Sequence, residues 1–343
     1  MLFGMQSQAP AVYLITYGCK VNYYESEALA AQLDALGIAN QMTNDGAISH
    51  LPTPAVFVVN SCAVTGMAEK KSRYGLSKIK KYHPTAKVVT MGCAFGRKTT
   101  EAVTREVAAA LGITFLGTAP VPVIHRREKA FIKVQDGCQN FCSYCIIPYL
   151  RQNISCRSIA DVTAEITAQP TKVTHVVLCG INLCYYPDFA ALCRAVDTCG
   201  KTWEISSLEP PMLTPALINT LQQCKNFMPH FHVCLQSGCD DVLRAMNRHY
   251  TTAQYAEIVN NLRTAFPNAT IGTDLIVGFP TETETAFAQT LSFLQTIKLD
   301  YLHLFPYSPR HGTAAAKLKP ITNAIVTARI NKIRFTLFPS YDR

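Results

Sequence analysis

Charged side chains are scarce in this sequence. Asp, Glu, Lys and Arg make up 16% of its 343 residues, against roughly 25% in an average soluble chain. Long apolar runs are missing too. No stretch reaches the about 18 consecutive apolar residues that a membrane helix needs, so no membrane partner is expected. The first residues show no charged segment leading into a continuous apolar one, which argues against a secretory signal. A cytoplasmic location with reduced thiols is therefore expected. The cysteines, 14 in number or about 4%, are too few for a disulfide-dense scaffold. There is no internal repeat and no low-complexity tract.

What is present is apolar material for a sizeable core, 48% of the residues. This length accommodates one large domain with a smaller one, or two of medium size. The net charge of +9 permits a polyanionic partner such as RNA and equally fits an ordinary basic protein.

The pattern along the chain is a regular alternation. Strand-like stretches at 11–16, 55–60 and 86–90 are separated by helix-like stretches at 25–36 and 68–82, and a helix at 100–111 follows. Gly37, Pro84 and Gly112 punctuate them. Pro120, Pro122 and the charged run 125–129 read as a linker. Beyond it, strands are expected at 130–134, 175–178, 203–206, 230–235, 270–277 and 301–305, with helices at 251–265, 284–297 and 324–337. Alternation of this kind predicts α/β architecture: an N-terminal doubly wound parallel sheet (1–120), then a partial or full parallel β/α barrel (124–343).

The densest chemical signal is Cys138-Gln139-Asn140-Phe141-Cys142-Ser143-Tyr144-Cys145. Its C-x₃-C-x₂-C spacing sits in a loop directly after a strand. Three thiolates this close can hold three irons of a 4Fe–4S cube and leave the fourth open. A zinc site would need a fourth ligand, and no nearby His or Cys supplies one. A second set is dispersed. Cys19, Cys62 and Cys93 each follow one of the first three predicted strands, at the edge where parallel sheets place ligands. By spacing alone they could equally be three isolated thiols.

The words around these cysteines carry a resemblance. The loop with Tyr144 just before its last cysteine looks like the radical S-adenosylmethionine superfamily. The segments 16–22, 59–65 and 91–94 resemble the N-terminal domain of the methylthiotransferase family. Further matches are Lys133–Cys138, Ser206–Pro210, Leu235–Gly238, Asp274–Pro280 and Phe305–Arg310. The resemblance spans roughly residues 11–335. It implies two 4Fe–4S clusters, one on Cys138, Cys142 and Cys145 and one on Cys19, Cys62 and Cys93, together with S-adenosylmethionine. One molecule of that cofactor would donate a methyl group to sulfur at the N-terminal cluster. A second would be split at the barrel cluster to a radical that opens an unactivated C–H bond for the CH₃–S group. An electron donor and a sulfur source are implied as partners.

Gly180, Glu209, Gln236, Ser237 and Asp274 stand at predicted strand ends and are candidates for cofactor contact or for satisfied polar residues of the fold. The chain departs from the family in several places. Asn182 replaces a common acidic residue, Gln152 and Thr281 stand where Gly is usual, and the segment between Gly180 and Leu192 is short. The small C-terminal RNA-binding β-barrel of the family is expected to be absent. Within the family, Lys133–Cys138, Cys145–Tyr149 and Leu302–Tyr307 look most like the branch acting on N6-threonylcarbamoyladenosine in the tRNA anticodon loop. The isopentenyladenosine branch, a ribosomal-protein branch and a non-catalytic iron–sulfur protein are the alternatives. Lys70, Lys71, Arg73, Lys78, Lys80 and Lys81 crowd one helix and offer either a phosphate-binding surface or a solvated face. The remaining eight cysteines share no ligand spacing and read as core or surface thiols.

Overall fold

The structure, a computed structural model, describes residues 10–117 and 121–337. Two compact units partition the chain. The first comprises residues 1–127 with a short return at 168–170, and the second 128–167 with 171–343. Pro120 of the expected linker lies outside the described residues. Gln169 belongs with the first unit because its amide accepts from the His125 backbone at 2.9 Å and donates to the Val123 carbonyl at 2.7 Å. Among the described residues no helix is long and apolar enough to cross a membrane.

The first unit is a four-stranded parallel sheet: β1 (Val12–Thr16), β2 (Asn40–Thr43), β3 (Val56–Ser61) and β4 (Lys87–Gly92), in the order β2-β1-β3-β4. Both faces are buried, as an all-parallel sheet requires. Val12, Leu14, Val56 and Val58 pack with Leu29, Leu33, Val103 and Val107 from α1 (Lys20–Ala35) and α3 (Thr100–Ala110). Tyr13, Ile15, Phe57 and Val59 pack on the other side with Ile79 of α2 (Gly66–Tyr82). Threonines start two of these helices: Thr65 accepts from the Ala68 amide and Thr99 from the Ala102 amide, each cap contributing about 1 kcal/mol. Helix α1 begins five residues earlier than expected. Strand β2 escapes a hydrophobic reading because Asn40-Gln41-Met42-Thr43 is a polar edge strand that borrows its order from β1.

The second unit strings parallel strands along one wall. β5 (Lys129–Lys133), β8 (His175–Cys179) and β9 (Thr202–Ile205) form one sheet. β10 (Ser207–Leu208), β11 (His230–Val233), β12 (Thr270–Val277) and β13 (Tyr301–Pro306) form the next. A bridge from Trp203 to Phe227 joins them. Two two-residue strands, β6 (Gln135–Asp136) and β7 (Ser155–Cys156), make an antiparallel clip. No pairing joins β13 back to β5 among the described residues, so the barrel is partial.

The intervening helices are α4 (Ile147–Leu150), α5 (Ile159–Thr167), α6 (Phe189–Asp197), α7 (Pro215–Gln223), α8 (Asp240–Ala245), α9 (Thr252–Ala265), α10 (Glu284–Thr296) and α11 (Asn323–Leu337). The short helices α4 to α8 were not expected from periodicity, since a stretch of nine residues or fewer holds little more than two turns.

Alternation within each strand decides which face meets the helices. Ile132, Val176, Leu178, Trp203, Ile205, Phe231, Val233, Ile271 and Leu275 enter one core, together with Leu217, Leu221 and Tyr255. Each such side chain contributes about 1.5–3 kcal/mol when fully buried. The alternate positions on these strands and on β13 hold Phe131, Val177, Ile276 and Phe305, but also Lys129, Lys133, His175, Glu204, His230, His232, Asp274, Tyr301 and His303. The latter give the opposite face a polar character rare for a parallel sheet.

Candidate functional site

In the first unit the strand order reverses between β1 and β3. The C-terminal ends of those two strands form the crevice where open α/β sheets take ligands. Cys19 lies three residues after β1 and is the residue before α1, Cys62 follows β3 at once, and Cys93 follows β4 at once. Cys19 is exposed and the other two are buried.

Glycines allow the loops to meet. Gly18 has φ +114°, and a Cβ there would stand 2.5 Å from Cys62 Cβ and 2.8 Å from its Sγ. Gly92 has φ +84°, and a Cβ there would meet the Ser61 carbonyl at 2.3 Å. An uncharged, buried network ties the three loops together. Asn60 donates to the Asn22 carbonyl at 2.8 Å and to Ser26 Oγ at 2.9 Å. Asn22 donates to Asn60 Oδ1 and to the Ser61 carbonyl. Ser61 Oγ donates to the Met91 carbonyl and accepts from the Ala94 amide. Cys93 N donates to the Ser61 carbonyl at 2.9 Å.

In the second unit the loop after β5 carries Cys138, Cys142 and Cys145, all partly buried and unbridged. Its entry is fastened by charge. Arg151, fully buried, donates to both oxygens of Asp136 at 2.9 and 3.1 Å, and Lys133 reaches Asp136 at 2.7 Å. Burial would raise the Asp136 pKa, but the two cations outweigh it and hold the carboxyl down at about 2. Gly137 follows with φ +84°, and a Cβ there would lie 2.2 Å from the Asn153 carbonyl.

The tip of the loop is pinned by the segment after α8. Ser143 donates through N and Oγ to the Met246 and Ala245 carbonyls, and the Asn247 amide reaches the Asn140 and Phe141 carbonyls at 3.1 Å.

Two side chains point donors at these sulfurs. Arg248 Nη1 lies 3.5 Å from Cys142 Sγ, and Asn182 Nδ2 lies 3.7 Å from Cys138 Sγ. Arg248 also ion-pairs with Glu209 and donates to the Tyr250 hydroxyl. Burial works against its charge, but the groups packed around it, the Glu209 carboxylate among them, keep the guanidinium firmly protonated. Asn182 is fixed in turn, its backbone N–H donating to Gln135 Oε1 at 2.8 Å. An acidic residue at 182 would offer no such donor to Cys138.

The donor chemistry fits an iron–sulfur cluster in both places. Burial, with neighbouring Cys142 and Cys138 acting in the same direction, pushes the Cys145 thiol up to about 12. Three thiolates cannot share that loop unless a cation or metal cluster supplies positive charge. In the first unit Gly18 and Gly92 provide the close approach, at a switch point, that brings three cysteine-bearing loops together.

The other expected residues are placed as follows. Glu209 stands on Arg248, beside Cys142. Gly180 packs on Gln135, where a Cβ would come within 3.0 Å. Gln236 has a left-handed backbone (φ +66°) and bridges to β12, its N–H donating to the Asp274 carbonyl. The Ser237 hydroxyl is buried and accepts from the Cys239 amide at 3.3 Å. Asp274 meets His232 and His303. Sequence reasoning missed Arg248, Arg151, His232 and His303. For the histidines a signal exists: His230 and His232 alternate with Phe231 and Val233, which puts both imidazoles on one face. For Arg248 there is none.

On α2, Lys70, Lys71, Lys80 and Lys81 are exposed, as are Tyr74 between them and Tyr82 after them. Arg73 pairs with Glu69, and Lys78 donates to the Asp45 carbonyl at 2.8 Å.

The Radical SAM superfamily profile matches residues 132–294, and that of the uncharacterized protein family UPF0004 matches 11–113. A threonylcarbamoyladenosine tRNA methylthiotransferase MtaB of Chlamydia pneumoniae is 34% identical over 324 residues, covering 88% of this chain and 76% of that one. A tRNA-2-methylthio-N(6)-dimethylallyladenosine synthase of Thermobifida fusca is 32% identical, covering 95% and 74%. The fold is similar to that of the radical S-adenosylmethionine methyltransferase TsrM from Kitasatospora setae, solved with cobalamin and a 4Fe–4S cluster. The TM-score is 0.63 at 13% identity, covering 90% of this chain and 77% of that one. The cofactors of this enzyme class are S-adenosylmethionine and two 4Fe–4S clusters. By its identity with curated relatives over most of their length, the chain belongs to the radical S-adenosylmethionine tRNA methylthiotransferase family.

Proposed function

We propose that this enzyme adds a methylthio group to C2 of N6-threonylcarbamoyladenosine beside the tRNA anticodon. Cys138, Cys142 and Cys145 would hold one cluster and Cys19, Cys62 and Cys93 the other. One observation carries the reading: two sets of three unbridged thiols, each at the C-terminal edge of its own parallel sheet. When bound, the clusters and S-adenosylmethionine supply the electron, the sulfur attachment and the C–H chemistry that no side chain here can provide.

The chain's own residues do the rest. Arg248 and Asn182 direct N–H donors at cysteine sulfurs, which would stabilise thiolate charge and tune the potential of a bound cluster. The Arg151–Asp136–Lys133 cluster fixes the start of the loop and so the position of Cys138. Gly180, Glu209, Gln236, Ser237 and Asp274 are the proposed cofactor contacts. Lys70, Lys71, Lys80 and Lys81, with the rings of Tyr74 and Tyr82 beside them, suit an RNA backbone. An external electron donor and a sulfur source complete the reaction, in the cytoplasm.

The segments Lys133–Cys138, Cys145–Tyr149 and Leu302–Tyr307 support the threonylcarbamoyl substrate. A dimethylallyladenosine substrate is the second reading, favoured by the 32% identity to the Thermobifida synthase. Nucleoside mass spectrometry of tRNA from cells with and without the gene decides. The methylthio derivative of threonylcarbamoyladenosine should vanish with the gene. Loss of the methylthio derivative of dimethylallyladenosine instead would transfer the assignment to the second reading.

A further inference from the structure

The polar face of the second unit holds two carboxylate clusters of opposite character. The first is closed. Glu204 is 9% exposed and receives Lys129 at 2.6 Å, His175 at 3.4 Å and His230 at 3.6 Å. Burial would raise its pKa, but the two imidazoles and the Lys129 ammonium hold it far below the ordinary range. Its groups satisfy one another, and it reads as a structural ion cluster.

The second cluster is open. His232, Asp274 and His303 come from the three adjacent strands β11, β12 and β13, at positions that alternate with the core-facing ones. His232 Nε2 lies 3.0 Å from Asp274 Oδ1, and His303 Nδ1 lies 3.2 Å from the same oxygen. Among the described residues no Lys or Arg ion-pairs with Asp274. Both imidazoles are oriented by that single oxygen. His232 is locked further by the Tyr301 hydroxyl, 3.1 Å from Nδ1, and by stacking on Tyr301 and His303 at 5.8 and 5.3 Å between ring centres.

The lock does not extend to the outer ring. His303 is 57% exposed in its side chain, and no partner is seen for its Nε2 among the described residues. Nor is the cluster remote from the cysteine loop. The buried Cys234 thiol, two residues beyond His232, is pushed up first by burial and then by the charges of Glu209, Asp274 and Cys142. The Arg248 that reaches Cys142 also contacts the Cys234 carbonyl.

We propose that His303, held by Asp274 and backed by His232 and Tyr301, reads the polar substituent on N6 of the target adenosine and so sets which modified adenosine is accepted. The proposal rests on the tRNA methylthiotransferase reading with a threonylcarbamoyl substrate and goes on to name the residues that select it. The chemistry separates the two nucleosides named by the relatives. A threonylcarbamoyl group carries a carboxylate, a hydroxyl and a urea. A dimethylallyl group carries no polar atom beyond N6. The outer nitrogen of the His303 ring, turned away from Asp274 and exposed, can hydrogen-bond a polar group of the first kind. A site built to hydrogen-bond its ligand rejects an apolar analogue strongly, because its polar groups are then desolvated without partners. An apolar pocket cannot discriminate as well in the reverse sense.

The test is competition binding of two chemically defined anticodon stem-loop RNAs to the full, cluster-loaded chain. One RNA carries threonylcarbamoyladenosine and the other dimethylallyladenosine. Wild-type protein should prefer the first. His303→Leu should cut that preference about 10- to 100-fold, mainly by weakening the first RNA. His303→Gln, which keeps a donor and an acceptor, should restore part of it. Iron content and melting temperature serve as folding controls for each variant.

A wild-type preference that His303→Leu leaves intact overturns the proposal and spares the substrate reading. A wild-type protein that does not prefer the threonylcarbamoyl RNA overturns both. Stoichiometric zinc or manganese, found by elemental analysis and lost in His303→Leu, overturns the proposal in favour of a cation site.

Discussion

The two three-cysteine sets do the same kind of work by different means. Cys138, Cys142 and Cys145 fall within eight residues of one loop, so local chain geometry alone brings them together. Cys19, Cys62 and Cys93 are spread over three βα connections, and only the strand order β2-β1-β3-β4 makes them neighbours. Their supports differ as well. The barrel loop is fastened by charge, through Arg151, Asp136 and Lys133. The dispersed set is fastened by amides and hydroxyls, through Asn22, Asn60, Ser26 and Ser61. A contiguous motif can hold its geometry with an anchor at its base and another at its tip, whereas a dispersed one needs a network that touches every loop.

The largest expected effect breaks the pair apart. Replacing Cys138, Cys142 and Cys145 together by Ala should leave about half of the iron in anaerobically reconstituted protein and abolish both cofactor cleavage and product. Replacing Cys19, Cys62 and Cys93 should also leave about half and abolish methylthiolation, yet spare some cofactor cleavage. Iron analysis with 5′-deoxyadenosine measurement checks both. If either triple variant loses all the iron or none, the two-site assignment fails.

A smaller effect should separate the two anchors by pH. The Asp136 carboxyl is held at about 2 in the folded chain, below its ordinary 3.8. Its ion pairs therefore stabilise the fold fully above about pH 4, and that contribution is lost as pH falls towards 2. The shift corresponds to about 2 kcal/mol. In urea titrations of the apoprotein, Asp136→Asn should lose at least this much at pH 7, since Arg151 is left buried without its partner. The gap to wild type should close by about 2 kcal/mol between pH 4 and pH 2. Asn60→Ala should cost roughly 1–3 kcal/mol, with no such closure, because no ionisable group takes part. A pH-independent gap for Asp136→Asn would show that charge is not what anchors the barrel loop.

The smallest effect concerns α2, which begins four residues after Cys62. Lys70, Lys71 and Lys80 have no ion-pair partner among the described residues, whereas Lys78 is committed to Asp45. Neutralising Lys71, Lys80 and Lys81 should lower the salt slope of tRNA binding by roughly 0.7–0.9 unit per lost phosphate contact. Lys78→Gln alone should change it least. An unchanged slope in the triple variant would make this a solvated helix face.

Much of this architecture is written locally. The strands at 270–277 and 301–306 and the helices at 252–265 and 284–296 follow from short-range alternation, caps and breakers. The Cys138–Cys145 loop is legible for the same reason, since its ligands share one stretch of backbone. Strand β2 and the short helices between 147 and 245 are not legible, because neighbours in space order segments whose own patterns are weak.

The sequence by itself determined the α/β alternation, the cysteine spacing of the barrel loop and the placing of each dispersed cysteine just after a strand. Tertiary structure alone decided the rest. It chose the strand order that turns three distant loops into one crevice, and it brought Arg248 to Cys142 from 106 residues away. It also set His232 and His303 on one carboxylate across three strands. The physical reason is the range of the forces involved. Backbone propensity and capping act within a few residues, whereas side-chain charges and hydrogen bonds act across whatever space the packed core has closed.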